Sequence, residues 1–143
     1  MVELPEDGEW DMLVFDVDGT ILDADGMIPE TITLVRELER KGMTVSLASG
    51  RTLPNLTPLH QSMAISGFIV GENGGIVWDS HQGHPIRARA DGSRTREAAQ
   101  WLGTQIEGLN PEGIESNRWR ETEWCLIDIG DWEQVRDAIA SSE

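Results

Sequence analysis

The sequence predicts an α/β fold, a parallel sheet with packed helices, followed by a smaller α+β unit. Three observations carry this prediction. Apolar runs of strand length alternate with helical segments between residues 12 and 78, in the order strand, helix, strand, helix, strand. That order is the signature of a parallel sheet with right-handed crossovers. Each of the three strands runs into polar or ionisable residues, at Asp16, at Ser49 and at Glu72-Asn73, and ligands bind beyond the carboxyl ends of strands in such sheets. After Trp78 the texture changes to helix, strand, strand, helix, as in an antiparallel α+β unit. A boundary near 80–90 divides a core portion, 1–80, from a second portion, 81–143.

Met1–Glu9 is a polar lead-in with Pro5 and Gly8. Met12–Phe15 is a continuous apolar run, the pattern of a strand buried on both faces. Asp16–Met27 is too broken by glycines and acids to be a helix. Pro29–Lys41 is a helix: Pro29 suits the first turn, Ile32, Val35 and Leu38 share a face, and Gly42 stops it. Met43–Ala48 is the second strand. Leu53–Met63 is a second helix, which Pro58 is expected to kink or shorten. Phe68–Val70 is a third strand, and the Asn73-Gly74 pair favours a tight reversal into Ile76-Val77-Trp78. Beyond a polar stretch at 81–90, Ser93–Leu109 has the spacing of an amphipathic helix with Ala98, Trp101, Leu102 and Ile106 apolar. A loop at 110–113 precedes an exposed strand, Ile114–Glu121, and a buried one, Trp124–Ile129. Asp131 caps a last helix, Trp132–Ala140, with Gln134 as its capping-box partner.

Composition narrows the function classes. The net charge is −15 over 143 residues, which argues against nucleic acid and anionic membranes as partners. The acidity reads as adaptation of a halophilic, soluble surface, where high salt screens self-repulsion. Lys41 is the one lysine, the other cations being arginines. A single cysteine, Cys125, excludes an internal disulfide framework and reads as a core thiol. The N-terminus is acidic, with no visible targeting peptide, and no apolar run approaches membrane-spanning length. A cytoplasmic location is expected.

The stretch Leu13-Val14-Phe15-Asp16-Val17-Asp18-Gly19-Thr20 holds the strongest chemical signal. Two closely spaced carboxylates at the end of an apolar strand are costly without a cation or a reaction that needs them. Phosphoryl transfer needs such a pair: one carboxylate attacks phosphorus, and the other protonates the leaving oxygen and then activates water. Mg²⁺ prefers oxygen ligands and would cancel the repulsion between carboxylates and phosphate. Gly19 permits a sharp turn, Thr20 can hydrogen-bond nearby, and Ser49 offers a hydroxyl close to a helix N-terminus for a phosphate oxygen. Asp18-Gly19 is also a hairpin-turn signal. The two are compatible if a small hairpin flap follows the acids.

Phe15-Asp16-Val17-Asp18-Gly19-Thr20 resembles the first signature motif of the haloacid dehalogenase superfamily, and Val45-Ser46-Leu47-Ala48-Ser49-Gly50-Arg51 resembles its second. Gly71-Glu72-Asn73-Gly74-Gly75-Ile76-Val77 is similar to a segment of the branch with a large α/β cap after the third core strand. That branch includes archaeal phosphoglycolate phosphatases and sugar-phosphate phosphatases. The resemblance implies a Rossmann-like core with an α+β cap insertion. It implies a Mg²⁺-dependent phosphomonoester hydrolase that works through an aspartyl-phosphate on a small phosphorylated acid or sugar. Asp16 would be the nucleophile and Asp18 the general acid/base, with Thr20 supporting the loop. Mg²⁺ would take the Asp16 carboxylate and the Asp18 backbone carbonyl. Ser49, with Gly50, Arg51 and Asn73, would bind substrate; Arg51 is equally a structural arginine at a helix start.

The sequence departs from the family pattern downstream. A third motif contributes a lysine, and none follows Lys41. A fourth contributes further aspartates for Mg²⁺, and only Ile129-Gly130-Asp131 remotely matches; Asp131 is equally an ordinary helix cap. The chain is therefore expected to stop inside the cap and to be weak or inactive alone, as a fragment or as a subunit needing a complementing chain or a second copy. Other features have bland readings beside sharper ones. His81 and His84 have metal-ligand spacing but read as an exposed turn. Trp101, Trp124 and Trp132 read as core packing rather than a substrate platform. Arg87, Arg89, Arg94 and Arg96 form a basic cluster that could meet an anionic substrate, and read first as solvated surface.

Overall fold

The computed structural model describes residues 10–79, 81, 86–88 and 90–142. The lead-in at 1–9, His84 and Arg89 lie outside the described residues. The chain divides into two compact units, one up to Ile86 and one from Arg87. A short strand, Ile86–Ala88, straddles that point.

The first unit is a sheet with two helices and a hairpin. Strand β1 (Met12–Phe15) leads to a two-stranded hairpin of β2 (Leu22–Asp23) and β3 (Gly26–Met27), then helix α1 (Pro29–Arg40), β4 (Thr44–Ala48), α2 (Leu53–Ser62), β5 (Ile69–Gly71) and β6 (Ile76–Trp78). The strand order is β1–β4–β5–β6. β1 and β4 are parallel with Phe15 opposite Leu47. β4 and β5 are parallel with Leu47 opposite Ile69, and β5 and β6 are antiparallel with Gly71 opposite Ile76. The parallel α/β architecture expected from the element order is present. Val35 of α1, Val45 and Leu47 of β4, Leu56 of α2, Ile69 and Ile76 are fully buried in one cluster. Burial of such side chains contributes about 1.5–3 kcal/mol each.

Several expectations need correction here. β1 is not buried on both faces: Met12 is 44% and Val14 53% exposed, so among the described residues no layer covers the face that they share; β1 lies at the sheet edge beside β4. Its other face carries Leu13 and Phe15, both half-buried. The hairpin exists, but Asp18-Gly19 is not its turn. Leu22 pairs with Met27 and Asp23 with Gly26, and Asp25 N donates to Asp23 Oδ1 at 2.9 Å across the reversal. Helix α2 is not shortened by Pro58, which lies inside it. Pro58 is exposed, and the Thr57 hydroxyl donates to the Leu53 carbonyl at 2.9 Å in the turn before it.

The second unit contains helices α3 (Ser93–Gln105) and α4 (Trp132–Ala140), with a 3-10 turn, Glu115–Trp119, between them. Leu102, Ile106 and Leu109 form its small core, packed by Trp101, Leu126, Val135 and Ala138. Helix α3 ends earlier than its apolar spacing suggests, because Ile106 turns extended with φ −121°. Ala99, not Ala98, is its buried alanine. The strands expected at 114–121 and 124–129 are not formed. The Asn117 side chain, 3% exposed, takes the place of a strand partner: its Oδ1 accepts from Cys125 N at 3.0 Å, and its Nδ2 donates to the carbonyls of Cys125 at 2.8 Å and Glu112 at 2.9 Å. Cys125 is half-buried. Trp101 and Trp124 are half-buried, but Trp132 is 68% exposed and is not core. Asp131 caps α4 as expected, accepting from Gln134 N at 3.0 Å. Among the described residues no helix is long and apolar enough to cross a membrane.

Candidate active site

The carboxyl ends of β1, β4 and β5 lie side by side, and each feeds one part of the site. Beyond β1 the chain bends at Val17. Val17 is fully buried, and Asp16 and Asp18 on either side of it are exposed. The Val17 carbonyl then closes a tight loop, accepting from Thr20 N at 3.3 Å, Ile21 N at 2.9 Å and Leu22 N at 2.9 Å. Gly19 N donates to the Leu22 carbonyl at 2.6 Å with φ 80°, a conformation that suits glycine. Thr20 is exposed within this loop.

Beyond β4, Ser49 is 8% exposed. Its N–H donates to the Val70 carbonyl at 2.9 Å, its carbonyl accepts from Asn73 N at 3.2 Å, and its Oγ accepts from Arg51 N at 3.2 Å. The Arg51 carbonyl accepts from Glu72 N at 3.0 Å. The Ser49–Arg51 turn is thus fastened to the end of β5 just before α2 begins. Glu72 and Asn73 hold φ of 49° and 52°, a left-handed pair that costs energy for non-glycine residues and clusters at functional sites. Gly50 makes the close approach feasible: a Cβ there would stand 3.0 Å from Asn73 Oδ1.

One ion pair joins the strand ends. Arg51 grips Asp18 with Nη2 to Oδ1 at 2.6 Å, Nε to Oδ2 at 2.9 Å and Nε to Oδ1 at 3.2 Å. These hydrogen bonds hold the Asp18 carboxyl below its ordinary value of 3.8, with charge attraction adding and partial burial opposing. The same bonds raise Arg51 further above its ordinary range. The structure therefore brings Asp18 to Arg51 and Ser49 to Asn73, with Asp16 exposed at the head of the loop. Arg51, read from the sequence as either a substrate contact or a structural arginine, is here paired with Asp18 while its side chain stays 37% exposed.

Two side chains that position this region were missed by sequence reasoning. Glu39 Oε1 accepts from Val45 N at 3.0 Å and Ser66 N at 2.8 Å, tying α1 to β4; nothing in its helical context signals this. His60, 3% exposed, bonds through Nε2 to the Gly67 carbonyl at 2.8 Å and meets Trp78 edge-on at 5.4 Å. Its place on the apolar side of α2 is the signal that could have found it. His81 bonds through its ring to the Ser66 carbonyl, and among the described residues no three His, Cys, Asp or Glu side chains are grouped to hold a metal. In the second unit, the exposed Arg96 lies over the Trp124 ring at 5.2 Å, and Arg94 is exposed.

Known proteins resemble this chain in sequence and fold. The model of the haloacid dehalogenase-like hydrolases matches residues 13–109. The chain is 34% identical over 132 residues to the phosphoglycolate phosphatase of Thermoplasma acidophilum, covering 91% of this chain and 57% of that protein. It is 33% identical over 116 residues to the phosphoglycolate phosphatase of Thermoplasma volcanium, covering 77% and 47%. A crystal structure of a Thermoplasma acidophilum protein superposes with a TM-score of 0.81 at 31% identity, over 92% of this chain and 57% of that one. The chain spans about half the length of the curated relatives it matches. Sequence and fold agree on one assignment: the chain belongs to the haloacid dehalogenase-like hydrolases.

Proposed function

We propose that the site serves phosphomonoester hydrolysis on a small phosphorylated acid or sugar, phosphoglycolate-like in character. The observation that carries this is the exposure of Asp16 and Asp18 on either side of buried Val17, at a strand end level with Ser49 through the Phe15–Leu47 register. Asp16 attacks phosphorus and becomes an aspartyl-phosphate as the ester oxygen leaves. Asp18 protonates that oxygen, then takes a proton from the water that opens the intermediate. Ser49 and the first turn of α2 hold phosphate oxygens, with Gly50 and Asn73 shaping the turn and Thr20 supporting the loop. The exposed Asp16 carboxylate and the Asp18 backbone carbonyl would hold Mg²⁺. Both are hard oxygen donors, and Mg²⁺ suits a site with one or two carboxylates plus water and phosphate. When bound it offsets the repulsion between carboxylates and phosphate. A metabolite of this kind suits the cytoplasm.

A second reading has its own observation. Met12 at 44% and Val14 at 53% exposure lie on an edge strand. Such an apolar edge favours a chain that needs a further polypeptide, or a second copy, to complete the catalytic machinery. Mg²⁺-dependent hydrolysis of a generic aryl phosphate by the chain alone, compared with Asp16→Asn, separates the two. Robust turnover abolished by that substitution supports the complete site and sinks the second reading; turnover indistinguishable from Asp16→Asn supports the second.

A further inference from the structure

The Asp18–Arg51 pair occupies both groups that the proposed chemistry needs. Asp18 has to turn between a leaving oxygen and a water, yet three hydrogen bonds from one guanidinium hold its carboxylate. Arg51 sits two residues after Ser49, at the turn assigned above to phosphate, yet its fork is filled by a carboxylate. A guanidinium fork fits carboxylate and phosphate oxygens with the same geometry. The pair is not a buried brace: the two side chains are 37% and 57% exposed, and exposed pairs of this kind are weak. The backbone of Arg51 is fixed at both ends, by Ser49 Oγ on its N–H and by Glu72 N–H on its carbonyl. Only its side chain is left to move.

We propose that Arg51 is a partner-exchanging latch. In the resting chain it clamps Asp18; an arriving phosphate monoester, with the higher charge, takes the guanidinium and releases the Asp18 carboxylate into the site. Phosphate binding and Asp18 release are then one event, which keeps the acid/base immobile until substrate is present. This rests on the assignment of the strand ends to phosphate in the preceding subsection.

A double-mutant cycle on phosphate affinity tests it. Inorganic phosphate is titrated calorimetrically into the whole chain at fixed Mg²⁺, for the wild type, Asp18→Asn, Arg51→Gln and the double variant. Asp18→Asn frees the arginine and is expected to tighten phosphate binding by about tenfold, a coupling usual for residues in direct contact. Arg51→Gln weakens binding, and the double variant binds no more tightly than Arg51→Gln. Arg51→Lys recovers only part of the loss, because it lacks the fork. An equal gain from Asp18→Asn in the Arg51→Gln background means only that a repelling charge was removed, and overturns the latch while leaving the phosphate site intact. No phosphate binding by any variant overturns both the latch and the site assignment beneath it.

Discussion

Gly67→Ala should break the joint on which the site is built. Gly67 precedes β5, where the chain passes against β4. A Cβ there would stand 2.1 Å from Ser46 Oγ, 2.2 Å from the Val45 carbonyl oxygen and 2.8 Å from its carbon. Real contacts of this kind lie above 3 Å, so the two segments must part by roughly 1 Å. Four hydrogen bonds cross or flank that point: Gly67 N to Val45 O at 2.8 Å and Leu47 N to Phe68 O at 2.9 Å, Phe68 N to Ser46 Oγ at 3.0 Å, and His60 Nε2 to Gly67 O at 2.8 Å. At about 1 kcal/mol for each of the four bonds, the loss is about 4 kcal/mol. That is a large fraction of the roughly 5–15 kcal/mol available to a domain. Urea unfolding followed by tryptophan fluorescence reads it, since Trp78 packs on His60. Adding Ser46→Ala should not rescue the variant, because the Val45 carbonyl is backbone. A shift below about 0.5 kcal/mol, the range of neutral surface changes, would refute the reasoning.

Asn117→Ala should cost the second unit about 2–3 kcal/mol, since it removes a buried carboxamide with three backbone contacts; the urea midpoint monitored at Trp124 checks this. Asp131→Ala removes the cap on α4 and should cost about 1 kcal/mol, seen as a lower thermal midpoint by far-ultraviolet circular dichroism. Asp91 accepts from the N–H and hydroxyl of Ser93 at 2.9 and 2.8 Å, bonds that lower its carboxyl below the ordinary 3.8. A depressed folded value means that the unfolded chain binds the proton more readily. The contribution is therefore present above the unfolded value and lost as pH falls through the folded one. Carboxyl-resolved NMR titration should place the Asp91 midpoint below 3.8, and Asp91→Asn should weaken the start of α3 at neutral pH but not in strong acid.

Local pattern was a good guide wherever one element settled its own state. Helices α1 and α4 begin and end close to their signals, because Pro29, Gly42 and the Asp131 cap act within a turn of themselves. The strand ends at Asp16, Ser49 and Glu72 were legible because the crossover rule needs only element order. The expected strands at 114–129 failed because a strand requires a partner. The side chain of Asn117 meets Cys125 instead, and no periodicity announces that. The exposed face of β1 was misread for a related reason: an apolar run records what a residue type tolerates, not which neighbours are present to cover it.

The amino-acid order alone determined that acids, a serine and an asparagine would gather at the carboxyl ends of neighbouring parallel strands, since each follows its own strand directly. Tertiary structure decided how they face one another. Asp18 and Arg51 are separated by 33 positions, and only the parallel docking of β1 on β4 sets the guanidinium against the carboxylate. That contact is a property of two strand ends held at a fixed register, so no single stretch of the chain contains it.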